Sequence, residues 1–405
     1  MPLDDISAST AENVIEQLRY GIPAQNMVRQ FTVGRDHQID QLLGSLLNRD
    51  DRHGRALLLR ANYGAGKSHL LRVVREMALE NNFAVSYIVA DANQGVRFNR
   101  MDTILGAVTR SIETPGCKEP GVQNLFDAYM DPWERNLTKQ ARDERSLISN
   151  KDRWDFSDHL RSASIFVALR AWMRANSLNI RDRIVDWLGN PDVYKSQRKL
   201  LYAELVGRLS SKFRDRRMEW QFYADDVFSF HTTGHQQSWA ALGDYHMIAK
   251  CSGLRGLVLL IDEFEDVIQN LNRRDFQQAA FYNLFLFFAG RRFPSKAYFA
   301  VTPDFASKCK KELLRRGVYD FDYSNFDTLP YFQLDPLTPA DLLSLSERIC
   351  KVHSIAYGWD AFEAVTDEDL KAICELNMLG SSPDRIRSTI KAIVEYLDDK
   401  LESTE

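Results

Sequence analysis

The stretch that most limits what this chain can fold into is Ala56-Leu-Leu-Leu-Arg-Ala-Asn-Tyr-Gly-Ala-Gly-Lys-Ser-His-Leu70. Residues 56–59 form an apolar run the length of a buried strand. A small-residue loop follows. From Lys67 a helical pattern begins, with Leu70, Leu71, Val74, Met77 and Ala78 along it. A strand that feeds a glycine loop into a helix start makes an anion site, because the first N–H groups of a helix lack internal partners and its dipole is positive there. Gly64 and Gly66 let the backbone fold tightly around phosphate oxygens. The expected cradle is Asn62, Tyr63, Gly64, Ala65, Gly66 and His69 around Lys67 and Ser68. Lys67 would reach the β and γ phosphates of a nucleotide, and Ser68 would hold Mg²⁺. The motif departs from its consensus once: its first glycine is Ala61 here, with Gly64 inside the loop in compensation.

A second strand pattern complements the first. Gly256-Leu-Val-Leu-Leu-Ile-Asp-Glu-Phe-Glu265 is apolar until it ends in acids. This is the Walker B pattern. Asp262 would complete the Mg²⁺ shell, and Glu263 would orient and polarise the attacking water. Residues 84–90 read as another strand. Residues 296–302 read as a further one, ending in Thr302, where a polar side chain can sense the γ phosphate; an ordinary strand-terminal threonine is the alternative. Residues 329–334 read as a short last strand. The intervening aromatic run (Phe276, Phe281, Phe285, Phe287, Phe288) is expected to be core. Kinases with Gly-Lys-Ser loops need an acceptor pocket, whereas the acid pair followed by Thr302 favours water as acceptor.

Composition excludes several classes. The 405 residues carry a net charge of −4, so no overall bias toward nucleic acid or membrane follows. The five cysteines (Cys117, Cys251, Cys309, Cys350, Cys374) are scattered without C-x-x-C spacing, which suits a reduced, cytoplasmic setting. No stretch is long and apolar enough to span a membrane. His231 and His235 lie four apart, but no third ligand is near and a metal site there is rejected.

About 190 residues separate Ser68 from Asp262, far more than one strand and two helices need. Residues 99–236 therefore read as a helical insertion, with helices near 163–175, 180–188 and 194–213. Over 131–220 there are 19 Lys and Arg against 13 Asp and Glu, a net +6. The basic stripe includes Lys195, Lys199, Lys212, Arg214, Arg216 and Arg217. It could track a nucleic-acid backbone, meet an acidic partner or be a solvated face. The remaining units are 1–98 (an N-terminal segment and the first half of a nucleotide-binding core), 237–334 (its second half) and 335–405 (a helical lid). The fold class is α/β: a P-loop, AAA+-like parallel sheet flanked by helices, with the insertion before Walker B and the small lid at the C-terminal end.

Val33-Gly34-Arg35 resembles the box that covers adenine in AAA+ ATPases of the origin-recognition and signalling branches. In order, Val14-Ile-Glu-Gln-Leu-Arg-Tyr-Gly-Ile-Pro23, Val33-Gly-Arg35, Gly64-Ala-Gly-Lys-Ser-His-Leu70 and Leu257-Val-Leu-Leu-Ile-Asp-Glu263 resemble the P-loop ATP-binding family of BREX-type bacterial phage-defence loci. The resemblance implies a cytoplasmic Mg-ATP-dependent ATPase that forms a homo-oligomer and acts with partner proteins such as a helicase or DNA-modifying component. The rival reading is an ATP-gated scaffold with little turnover. The resemblance also points to Arg385, with Arg387 as rival, as the lid arginine that senses nucleotide. Arg315 and Arg316 are its candidates for an arginine that completes a neighbouring subunit's site. No room is left after the lid, by Glu405, for a winged-helix DNA reader.

Overall fold

The computed structural model describes residues 6–22, 27–48, 56–93, 95–149, 160–175, 177–209, 221–228, 235–265, 270–271, 273–290, 292–315, 317, 322–379 and 384–404. Helices α1 (Ala8–Arg19) and α2 (Asp36–Leu47) precede strand β1 (Ala56–Arg60), which leads into α3 (Lys67–Glu80) and β2 (Ala84–Val89). Then come α4 (Met101–Ser111), β3 (Ile112–Glu113), α5 (Val122–Met130), α6 (Lys139–Ser149), α7 (Ala163–Trp172), α8 (Leu178–Gly189) and α9 (Lys195–Leu209). Helix α10 (Gln236–Cys251) returns the chain to β4 (Leu257–Asp262), α11 (Arg274–Phe288), β5 (Ala297–Val301), α12 (Phe305–Arg315), α13 (Ser324–Asp327) and β6 (Tyr331–Gln333). The last helices are α14 (Pro339–Tyr357), α15 (Ala361–Ala364), α16 (Asp367–Leu379) and α17 (Arg385–Thr404).

The strands form one sheet in the order β3-β2-β4-β5-β1-β6. All neighbours are parallel except β3, which pairs antiparallel with β2. Strand β5 therefore lies between β1 and β4, so the ends of all three strands converge. Parallel strands need crossovers that cover both faces, which is why they read as continuous apolar runs. Alternation then divides each strand. Leu58, Leu259, Ile261 and Phe299 face the layer containing α4, α10 and α11. Leu59, Val258, Leu260, Tyr298 and Ala300 face α2 and α3.

The insertion is not a separate globule. Ile104, Phe126, Phe166, Trp187, Tyr202 and Trp239 belong to the same continuous core as Leu58, Ile261 and Phe299 of the sheet. The C-terminal helices form their own core, and α1 joins it: Val14, Ile15 and Leu18 pack with Leu342, Ile349, Ile393 and Leu397. Chain order groups α1 with the first half of the sheet domain. Packing groups it with α14 and α17, and Arg19 fastens the union through Asp398 of α17 at 2.8 Å. Thr338 and Asp341 form a reciprocal capping box at the start of α14, which satisfies two backbone donors left open there.

Candidate functional site

The loop between β1 and α3 turns at Gly64 (φ +70°) and Gly66 (φ +95°), both in the region that disfavours side chains. Ala61 does not share that conformation. Its methyl is buried and its carbonyl accepts a hydrogen bond from Lys67 Nζ at 3.4 Å, so alanine in place of the consensus glycine adds no backbone strain. Lys67 is itself buried, and its ammonium lies 4.9 Å from the centre of the Tyr63 ring. A buried ammonium with one long hydrogen bond is an incompletely compensated charge, suited to an anion. Arg35 braces the loop from below, donating to the Ala65 carbonyl at 3.2 Å and to the Asp335 carbonyl at 3.0 Å. His69 Nε2 and the Thr32 hydroxyl are 2.8 Å apart. Desolvation, aided by the Arg35 and Arg72 charges, holds the His69 imidazole down to about 4, so it is neutral near pH 7.

Facing this basic side is the end of β4. Asp262 is buried, with one oxygen accepting from the Tyr87 hydroxyl at 2.5 Å and the other from the Glu263 N–H at 2.9 Å. Glu263 has φ +51°, a left-handed conformation that costs a non-glycine residue about 1–3 kcal/mol. The reason lies one residue on. Phe264 is fully buried against Phe98, Phe299 and Phe305, and the turn sends the Glu263 carboxylate to the cavity instead. Burial, then the neighbouring Asp262 charge, raises the Glu263 carboxyl above its ordinary value, and Lys67 opposes them. Glu265 is buried and accepts a hydrogen bond from the Thr302 backbone N–H, tying the end of β5 to the acidic turn.

Loop, acids and lid enclose one cavity of about 430 Å³. Tyr63, Gly64, Ala65, Gly66, Lys67, Ser68 and His69 line it, as do Asp262 and Glu263. Val33 lines it too, beside Phe31 and Thr32. Much of the apolar part of its wall comes from Leu18 of α1, from Ile22 just after it, and from Leu337, Leu345, Ile386 and Ile390 of the lid. Ser68 and Asp262 supply hard oxygen ligands of the kind Mg²⁺ takes, so the residues present fit that ion.

Other expected positions fall elsewhere. Asn62 is exposed and is not part of the wall. Gly34 is a turn residue at φ +62° with the Asp341 carboxylate packed where a Cβ would stand. Thr302 directly follows β5 but is buried outside the cavity, its hydroxyl donating to Asp304 at 2.6 Å. Arg385 opens α17 without lining the cavity; Arg387 lines it, its stem filling the space beside Gly21. Arg315 sits exposed on the last turn of α12, paired with Glu312 at 2.9 Å, and Arg316 lies outside the described residues. Of the basic stripe, Lys195 pairs with Asp225 at 3.1 Å and Lys199 is half-buried. Lys212, Arg214, Arg216 and Arg217 lie outside the described residues, as does His231.

Sequence reasoning missed Arg72 and Tyr87, both of which line the cavity. Arg72 had a signal: it stands four residues after Ser68, on the same helical face. Tyr87 had a weaker one, a hydroxyl-bearing ring inside an apolar strand.

A family model describing the BREX system ATP-binding proteins BrxC/D matches residues 6–188 and 232–405. The chain belongs to that family. No curated protein and no solved structure matches it. The BrxC/D match includes every wall of the cavity and leaves out residues 189–231, which hold α9 and the basic stripe. Among the described residues, no helix is long and apolar enough to cross a membrane, and no group of three His, Cys, Asp or Glu could hold a metal ion.

Proposed function

We propose that this chain is a cytoplasmic, AAA+-like Mg-ATPase of a BREX phage-defence system, which couples hydrolysis to conformational work on a partner protein or DNA. One observation carries the reading: the phosphate-loop Lys67 and the carboxylate Glu263 line the same cavity, near enough for the Lys67 charge to act on the carboxyl. Binding alone would need only the first. Lys67 offers its charge to the β and γ phosphates, and Glu263 takes the proton of the water that attacks the γ phosphorus. The bond from phosphorus to the bridging oxygen breaks, giving ADP and inorganic phosphate. Burial makes Glu263 a stronger base than an exposed carboxylate. Mg²⁺, held between Ser68 and Asp262, would supply charge neutralisation at the phosphates. The apolar lid residues Leu337, Leu345, Ile386 and Ile390 line part of the cavity, and such low-dielectric walls strengthen these charge interactions.

Arg387, in the lid, would report on bound nucleotide from the cavity side. Arg315 is exposed and is proposed to complete the site of a neighbouring copy in a homo-oligomer, with Arg316 its alternative. A defence-system helicase or DNA-modifying component is the proposed partner, and DNA contact is assigned to the insertion's basic stripe (Lys195, Lys199, Lys212, Arg214, Arg216, Arg217).

A second reading, an ATP-gated scaffold with little turnover, draws on Thr302: its hydroxyl is engaged by Asp304 rather than offered to the cavity. A single-turnover ATP assay with and without DNA separates the two. Phosphate release at about one per site within minutes supports the ATPase. ATP bound but intact over hours supports the scaffold.

A further inference from the structure

The phosphate-loop cavity lies at the end of the sheet where the parallel strands finish. A second cavity, also of about 430 Å³, lies at the other end, beside the starts of β2, β4 and β5. Its lining includes the cations Lys250, Arg255 and Lys296. Helices α2, α3 and α10 end there, and helix C-terminal ends attract cations, which accounts for Lys250 and Arg255. Lys296 has a partner of its own. No cation at that end is left over for a ligand. The finishing end, by contrast, holds a contact that packing alone does not explain.

Strand β2 pairs with β4 so that Tyr87 lies opposite Leu260 and Val89 opposite Asp262. Side chains alternate along a strand, so Tyr87 and Asp262 emerge on the same face, the one that α3 covers. The Tyr87 ring packs against the core of that face, and the Arg72 guanidinium of α3 lies 5.5 Å from its centre. A phenylalanine would pack there as well. The hydroxyl adds one thing: it donates to Asp262 at 2.5 Å, within the range of a charge-assisted O–H···O⁻ bond. The other Asp262 oxygen accepts from the Glu263 N–H at 2.9 Å. The terminal torsion of an aspartate is broad and roughly two-fold. One donor on each oxygen selects a single orientation from that range. Ionised, the two oxygens offer about four lone-pair sites, so two donors hold the carboxylate without using it up. Tyr87, Asp262 and Ser68 all line the cavity, so the held carboxylate stands beside the space that a hard cation would share with Ser68.

We infer, resting on the Mg-ATP reading of this cavity, that Tyr87 is a positioning residue: its hydroxyl fixes Asp262 in the orientation from which the carboxylate serves Mg²⁺. Partners of this kind orient metal-ligating carboxylates, and removing one costs about 10–100-fold in metal affinity. Calorimetry of the full chain with adenylyl imidodiphosphate, in Mg²⁺ and in EDTA, tests it. In the wild type Mg²⁺ should tighten binding. Tyr87→Phe should cut that gain about tenfold and leave affinity in EDTA within about twofold of wild type. Equal losses with and without the ion would make the hydroxyl structural, and an undiminished gain would make it idle. Either result overturns the positioning role while the Mg-ATP reading stands. A wild type that gains nothing from Mg²⁺ overturns both. A double-mutant cycle then locates the effect. In an Asp262→Asn background, Tyr87→Phe should change the Mg²⁺ gain by less than about twofold. A further loss there would mean that the hydroxyl acts through another group, and the positioning of Asp262 is refuted.

Discussion

The two ends of this sheet hold cavities of equal volume and opposite chemical character. At the finishing end, Lys67 and Arg72 line one space with Asp262 and Glu263. At the starting end, the described charges are all positive. Opposed charges brought into one partly buried space shift each other's proton affinities, which is what acid–base work requires. At the starting end no carboxylate stands among the described lining residues, so that pairing is missing there. Parallel architecture explains the asymmetry: loops after the strands carry variable chemistry, while loops before them mainly close the layers.

The comparison can be broken at several points. The largest effect is expected from Glu263→Gln, which should lower turnover by about 10²–10⁴-fold while ATP affinity stays within about threefold of wild type by calorimetry. Equal losses in both would mean that Glu263 is structural. Lys67→Ala removes a buried charge from the phosphates and should weaken ATP binding by about 100-fold, equivalent to about 3 kcal/mol. An unchanged dissociation constant would move the ATP site elsewhere.

A third test uses pH. The folded-state value of His69, about 4, lies below its unfolded value of 6.5. Its contribution to stability is therefore present above pH 6.5 and lost as pH falls from there toward 4, by up to about 3 kcal/mol. Denaturant melts of wild type and His69→Gln should diverge in that window, and parallel curves would show that the imidazole is not held neutral. Smaller still is Arg387→Ala, expected to weaken ATP binding about tenfold, a charge-assisted contact of about 1.4 kcal/mol. Arg385→Ala should change it less than twofold; the reverse order would restore Arg385 as the lid's sensor. The smallest effect sharpens the contrast between the two ends: Lys250→Gln should leave ATP turnover unchanged within about twofold, and a larger fall would mean that the starting end belongs to the reaction.

What the sequence disclosed follows the range of the forces involved. The strand, loop and helix from Ala56 onward are local in sequence, so spacing alone located them. Thr302 was legible as the end of a strand, but its rotamer depends on Asp304, and nothing in spacing tells which partner a hydroxyl chooses. The choice between Arg385 and Arg387 rested on the phase of α17, which is set by the bare surface of Gly21 at the far end of the chain. Arg35 was legible as part of a nucleotide-covering box, yet its guanidinium braces the loop through Ala65, a role visible only once β6 and α3 are side by side. The length between Ser68 and Asp262 announced extra helices, but their merger with the sheet's core was not legible, because apolar helical faces do not name what covers them.

The pairing of α1 with α14 and α17 has a consequence for synthesis. The apolar side of α1 (Ala11, Val14, Ile15, Leu18) is covered by α14 and α17, which are made long after it. At about 5–20 residues per second, the roughly 390 residues from α1 to the end of α17 take about 20–80 s to make. For that interval the sheet and its phosphate loop can fold while α1 waits on the ribosome, its greasy face open to chaperones. The cavity at the β1–α3 loop, whose wall includes Leu18, Ile22, Ile386 and Ile390, is thus completed by α1 and α17 together, two segments made far apart in time.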